Sequence, residues 1–238
     1  MKRLVLPLLL LSISFAFAAK PKTYYVRIKT AQGESIVRLY NKTPLHRDNF
    51  VKLAKSGFFN GTLFHRVMNT FMIQGGDPDS KTAKPGQALG NGGLNYTIPA
   101  EFDTTLFHKK GVIAAARDGN PAKASSSTQF YLVQGKRLSN EELNMVERSA
   151  QGRKIAPHIR KIYQTVGGTP FLDQNYTVFG EIVRGLEQVD SIASVKTDGN
   201  NRPLTDIAMQ VSLLKKKEIK KLEKELIKET VRNNMIMR

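Results

Sequence analysis

The sequence predicts a mainly β protein: a closed β-barrel with helices at its ends, a helical stretch interrupting the strand series, and a basic helical tail. Three observations predict it. Short apolar runs of strand length recur along the chain, segments with helical periodicity are few, and glycine-rich connections separate the runs at close intervals. With 238 residues, 40% hydrophobic and 24% charged, the chain has the composition of a globular protein that can bury a substantial core.

The first residues read as an export signal. Lys2 and Arg3 form a short basic region, Leu4 to Phe15 is an apolar run, and Ala16-Phe17-Ala18 supplies the small-x-small pattern cut by signal peptidase. The run is short for a membrane span, which needs about 20 apolar residues. Residues 1–19 are therefore expected to be a cleavable signal peptide, cut after Ala18 or Ala19. The mature protein is expected in the periplasm or outside the cell. Next, Thr23 to Thr30 sets Tyr24, Val26 and Ile28 against Tyr25, Arg27 and Lys29, the period of a half-buried strand. Gln32-Gly33 marks a turn and Ser35 to Tyr40 its antiparallel partner. A helix follows, with Thr43 as N-cap, Pro44 at its first position, Phe50, Leu53 and Ala54 as its apolar stripe, and Gly57 at its end. Further strands are expected within Leu63–Val67, Phe71–Gln74, Gly111–Ala116, Gln129–Val133 and Thr177–Val183.

Two regions break the pattern. The stretch 136–169 is helix-rich: Ser139-Asn140-Glu141-Glu142 is a capping-box sequence followed by Leu143, Val146 and Ala150, Gly152 breaks that helix, and Ile155, Ile159, Ile162 and Tyr163 fit a second. It carries 7 Lys/Arg against 3 Glu. The tail, 215–238, carries 9 Lys/Arg against 4 Glu. Ile219, Leu222 and Leu226 give the tail an apolar stripe at helical spacing, although a frayed, solvated helix fits the same charge run.

Several chemistries are excluded. There is no cysteine, hence no disulfide scaffold, thiol nucleophile or Cys-based metal site. His46, His65, His108 and His158 are too scattered for a metal-binding pair. No G-x-S-x-G elbow appears, and Phe130 stands where a phosphate loop ending in Gly135-Lys136 needs its first glycine. Gly90-Asn91-Gly92-Gly93 lacks the third glycine of a dinucleotide fingerprint and reads as a mobile surface loop. The formal charge is +17, with 37 Lys/Arg against 20 Asp/Glu. The basic residues are spread over body, insert and tail without interleaved aromatics, so no specific nucleic-acid binding is expected. Anionic surfaces or acidic clients fit the charge as well.

One stretch concentrates function-bearing side chains. Gly61 to Val67 reads GTLFHRV and Phe71 to Asp77 reads FMIQGGD, bringing a cation, two large apolar side chains and an amide together. By composition alone Phe71 and Met72 are core residues and Arg66 a surface charge.

FHRV followed by FMIQGGD resembles the signature of the cyclophilin-type peptidyl-prolyl cis-trans isomerases. Thr43-Pro44 with Asn49-Phe50 and Leu53 resembles the family's first helix. Ile98 to Phe102, Gly111 to Ala114, Ser127 to Tyr131 and Val178 to Gly180 resemble its later blocks, in order. The resemblance covers about 23–214, with 136–169 as an insertion in a domain spanning 20–214. It implies an eight-stranded antiparallel barrel capped by two helices, and no cofactor or metal. By position, Arg66 resembles the catalytic arginine. Phe71, Met72, Tyr131, Phe171 and Leu172 resemble the proline-pocket wall, and Gln74 and Gln129 the amides that position substrate backbone and arginine. Ala116 and Arg117 match the segment contacting substrate before its proline, and Tyr176 a position often held by histidine. Phe171 stands where many members have the tryptophan associated with cyclosporin binding. Tyr131 replaces the usual Phe, which is expected to place a hydroxyl at the pocket rim.

The activity so implied is rotation about X–Pro bonds, assisting the folding of exported proteins. Its partners would be proline-containing peptides and unfolded exported proteins, with anionic surface contacts through insert and tail, and the protein a monomer. The competing reading is a non-catalytic cyclophilin-like chaperone or binding module.

Overall fold

The computed structural model describes residues 22–149 and 153–236. The expected signal peptide, Ala150 and the helix break at Gly152 lie outside them. Ten strands and five helices make up the described chain: β1 Tyr25–Thr30, β2 Gly33–Leu39, α1 Pro44–Lys55, β3 Phe64–Met68, β4 Met72–Gly75, β5 Thr97–Ile98, β6 Val112–Ala115, β7 Ser125–Ser126, β8 Phe130–Val133, α2 Asn140–Ser149, α3 Pro157–Thr165, β9 Val178–Arg184, α4 Glu187–Ala193, β10 Gln210–Leu213 and α5 Lys216–Ile236. Eight strands form one antiparallel sheet in the order β10-β1-β2-β9-β6-β8-β4-β3, and β5 with β7 makes a small separate ribbon.

That sheet is an open half-barrel, not the closed barrel expected from the sequence. Its edge strands β3 and β10 form no ladder with each other; next to them the two edges are joined by the bridge of Leu63 with Ala208 and by backbone hydrogen bonds from Gly61 N–H to Met209 O, Met209 N–H to Thr62 O and Phe64 N–H to Ile207 O, each at 2.9 Å. Further along both edges, loops take the donors that pairing would use. The Val67 N–H donates to Asn201 O at 2.8 Å and the Val211 N–H to Asn60 Oδ1 at 2.9 Å. Satisfied edge donors gain nothing from further pairing.

The half-barrel's concave side holds the main core. Val26, Ile28, Val37, Leu39, Phe64, Val67, Ile73, Ile113, Phe130 and Leu132 point inward, and Phe50, Leu53 and Ala54 of α1 with Val189, Ile192 and Ala193 of α4 close the ends. α4, β5, β7 and β10 are not among the elements expected from the residue pattern. Two strands of two residues leave no period to read, and α4 has only two turns. At α1 the Thr43 hydroxyl caps nothing. The Glu101 carboxylate instead accepts from the Leu45 and His46 N–H groups at 3.1 and 3.0 Å, from 55 residues away. At α2 the capping box forms as read: Glu142 N–H donates to Ser139 Oγ at 3.2 Å and Ser139 N–H to Glu142 Oε2 at 2.8 Å.

α5 lies on the outer face of β1, β2 and β9. Leu222 is buried there against Tyr25, Ile36 and Leu214, with Ile219 and Leu226 beside it. Arg27 pairs with Glu218 at 3.0 Å, and Arg184 with Glu225 and Glu229 at 2.6 and 3.2 Å. The apolar stripe of the tail thus has a partner on the sheet. Among the described residues no helix is long and apolar enough to cross a membrane.

Candidate active site

The site sits on the convex face, and strand register puts it there. Successive residues of a strand face opposite sides, so while Ile73, Leu132 and Ile113 enter the core, Met72, Gln74, Tyr131, Val133 and Ala114 face out. Register aligns Arg66, Gln74, Tyr131 and Ala114 as one row across β3, β4, β8 and β6. Arg66 joins the row through a bulge. Phe64 pairs with Gly75 and Arg66 with Gln74, so His65 is an extra residue on β3. The bulge lets Phe64 and Val67, three residues apart, both face the core while Arg66 faces out.

A chain of amides orients the arginine. Gln129 donates through Nε2 to the carbonyls of Gly90 and Gly92, both at 2.8 Å, and accepts at Oε1 from Gln74 Nε2 at 3.0 Å. Gln74 Oε1 accepts from Arg66 Nη1 at 3.2 Å, and Arg66 Nη2 reaches the Met68 thioether at 3.2 Å. Each amide thus has one orientation that satisfies both neighbours. The Gly90–Gly93 loop, expected to be mobile, anchors this chain, and Asp77 Oδ2 accepts from the Gly90 N–H at 2.6 Å.

Beside the guanidinium lies a cleft of about 470 Å³ lined by Arg66, Phe71, Met72, Gln74, Ala116, Arg117, Tyr131, Leu172 and Tyr176. Met72 is 1% and Tyr131 4% exposed, so they form its floor. Ala116, small and at the cleft wall, leaves room that a larger side chain would fill. Arg117 stacks its guanidinium over the Tyr176 ring at 4.7 Å and donates through Nε to Asn175 O at 2.8 Å. Gln129 lines the adjoining cleft, which shares Gln74, Ala116 and Arg117.

Two expected site features sit elsewhere, the Phe171 ring and the Tyr131 hydroxyl. Phe171 does not line the cleft; it is half-exposed and packs behind Phe71, ring centroids 5.6 Å apart. The Tyr131 hydroxyl is not at the rim. It turns inward and meets His108 Nε2 at 2.9 Å, and burial pushes its pKa well above the ordinary 10. Sequence reasoning missed Gln87, Leu89, Asp198, Asn200 and Arg202, which line the cleft beyond Arg66. They come from two irregular loops with no periodicity to betray them. It also left out His65, which lies within the FHRV motif; burial lowers the His65 pKa. No cluster of His, Asp or Glu among the described residues could hold a metal ion.

Fold and site together define the class of protein: an antiparallel half-barrel whose convex face carries a cleft, floored by Met72 and Tyr131, next to an oriented guanidinium. The family model for cyclophilin type peptidyl-prolyl cis-trans isomerases (CLD) matches residues 25–212. Curated proteins whose names assign them to peptidyl-prolyl cis-trans isomerase are similar to this chain. One from Staphylococcus aureus is 36% identical over 186 residues, 78% of this chain and 88% of its own length. One from Staphylococcus haemolyticus is 33% identical with the same coverage. Among solved structures, a cyclophilin type isomerase of Cryptosporidium parvum superposes with TM-score 0.60 at 21% identity, covering 82% of this chain and 99% of that one. The same protein in the presence of the dipeptide Ala-Pro superposes with TM-score 0.60 at 20% identity, covering 80% and 99%. The chain belongs to the cyclophilin-type peptidyl-prolyl cis-trans isomerase family. Its reaction class is isomerisation of the peptide bond before proline.

Proposed function

We propose that Arg66 is the catalytic residue of this reaction and that the substrates are proline-containing stretches of unfolded exported proteins. The observation that carries the proposal is the amide chain from Gly90 through Gln129 and Gln74, which fixes the guanidinium beside the Met72–Tyr131 floor.

The chemistry follows from the amide. Rotation about the peptide bond costs about 18–20 kcal/mol because the nitrogen lone pair is delocalised into the carbonyl. At the twisted transition state the lone pair is localised on the proline nitrogen. A charged donor held in place stabilises that state more than either planar one, and only such a difference accelerates the step. Arginine has five N–H donors in a rigid fork. Gln74 and Met68 engage two, and the others remain for substrate. Phe71, Met72, Tyr131 and Leu172 hold the pyrrolidine ring, Gln74, Gln129, Ala116 and Arg117 hold the backbone before it, and the carbonyl swings. No nucleophile, metal or proton transfer is required.

The wider assignment rests on composition. Residues 1–19 act as a cleavable signal peptide, 20–214 as the isomerase domain with 136–169 inserted beside the groove, and 215–238 as a tail. The exposed lysines of insert and tail meet anionic surfaces; specific nucleic-acid binding has no support, and the protein acts as a monomer. Two measurements test this. Exchange rates of an Ala-Pro peptide with the mature protein separate catalysis from mere binding, which would leave the rate at its uncatalysed value. N-terminal sequencing of the protein from cells should find residue 19 or 20 first; an intact Met1 refutes export by cleavage.

A further inference from the structure

The Tyr131 hydroxyl is one end of a buried chain of hydrogen bonds that runs out of the half-barrel into α3. The hydroxyl donates to His108 Nε2 at 2.9 Å, and His108 Nδ1–H donates to Asp173 Oδ1 at 2.8 Å. This tautomer follows from Asp173, whose carboxylate can only accept there. Asp173 Oδ1 also accepts from the His108 backbone N–H at 2.8 Å, and Oδ2 accepts from the Tyr163 hydroxyl at 2.7 Å. Tyr131, His108, Asp173 and Tyr163 are 4%, 0%, 7% and 0% exposed. Burial raises the pKa of both tyrosines, so both remain donors.

The same node carries the turn that bears Leu172. Asp173 directly follows the Pro170–Leu172 3-10 turn. Arg153 donates to the carbonyls of Asp173 and Pro170, the latter at 3.3 Å, and the Thr169 N–H donates to His108 O at 2.9 Å. Gly168 makes the close approach possible, since a Cβ there would lie 2.2 Å from His108 O. Two walls of the cleft, Tyr131 and Leu172, are therefore tied through one carboxylate to side chains of the 136–169 stretch.

We propose that Tyr163, Arg153 and His108 are positioning residues for the isomerase reaction. Through Asp173 they fix the Tyr131 ring and the Pro170–Leu172 turn, so the 136–169 stretch sets how firmly the cleft grips the proline ring. This rests on the reading that the Tyr131 cleft holds that ring. The grip acts on planar and twisted forms alike, so loosening it raises KM and leaves kcat near its starting value.

The experiment measures kcat and KM on an Ala-Pro peptide for the full mature chain and its variants. Tyr163→Phe keeps the ring and removes one hydroxyl; KM is expected to rise about 3- to 10-fold, the worth of one hydrogen bond. Tyr131→Phe should give a similar rise, and the double variant no more than Tyr131→Phe alone, because both cut one chain. Leu143→Ala, in the same small core but outside the chain of bonds, is the control: its midpoint of thermal unfolding falls while KM stays. Should Tyr163→Phe not fold, Arg153→Ala, which removes both bonds to the Asp173 and Pro170 carbonyls, is read the same way. An unchanged KM, additive effects in the double variant, or a KM rise in Leu143→Ala overturns the proposal. An inactive wild type instead overturns the underlying reading of the cleft, which distinguishes the two failures.

Discussion

Replacing Arg66 by alanine should separate catalysis from folding, because the side chain has few structural contacts. The side chain is half-buried on β3 and makes two internal contacts, to Gln74 Oε1 and to the Met68 thioether, both at 3.2 Å. The Gln74 oxygen left behind opens onto the cleft, where water replaces the lost donor. The stability cost should therefore stay below about 1 kcal/mol. Against a total of about 5–15 kcal/mol, that moves the thermal midpoint by a few degrees at most. Loss of one preorganised donor at the reacting bond costs on the order of 10²–10³ in turnover, roughly 2.7–4 kcal/mol. The loss should fall on kcat rather than KM, since the lone pair that the guanidinium meets exists only in the twisted state. Arg66→Lys should recover only part, because one ammonium cannot serve Gln74 and the substrate in the geometry of a fork. Line-shape or exchange NMR on an Ala-Pro peptide gives the rates, and circular dichroism the unfolding. Turnover close to wild type in Arg66→Ala, with the fold intact, would refute the mechanism.

Four more outcomes follow from the same geometry. Turnover should be nearly flat from about pH 6 to 8, since arginine does not titrate there. Stability should not be: burial lowers the pKa values of His46 and His65, so their contribution is full above about 6.5 and fades as pH falls through the folded values. A thermal midpoint that rises on acidification from pH 7 to 5 would contradict this. Cyclosporin should inhibit weakly and Phe171→Trp should tighten it, because indole adds area and an N–H donor beside Phe71; equal inhibition constants would refute the reasoning. Leu222→Ala should cost about 2–3 kcal/mol in urea unfolding yet leave peptide turnover intact, since α5 covers β1, β2 and β9 rather than the cleft strands; a matching loss of activity would show that the tail reaches the site.

Linear sequence determined what depends on neighbours along the chain. Alternating apolar residues mark β1 and β2, continuous apolar runs mark the buried strands β6 and β8, Pro44 starts α1, and the Ser139–Glu142 capping box starts α2, each being a local conformational preference. The FHRV and FMIQGGD segments mark the family, and with it Arg66, Met72 and Gln74, because those residues lie close together in sequence as well as in space. Tertiary structure decided the rest. The bulge at His65 sends Arg66 out with Gln74 while Phe64 and Val67 go in, a change of side that no strand period encodes. Glu101 caps a helix 55 residues away, in place of Thr43, because a long-range carboxylate reached the free N–H groups. Beyond the Phe64–Ile207 contact the sheet edges carry no ladder, and Asn201 O and Asn60 Oδ1 take the Val67 and Val211 donors instead. The Tyr131 hydroxyl turns from the expected rim toward His108 for the same reason: a buried polar group goes where its partner is. That partner is supplied by packing, from parts of the chain 23 and more residues away, so only the folded molecule can name it.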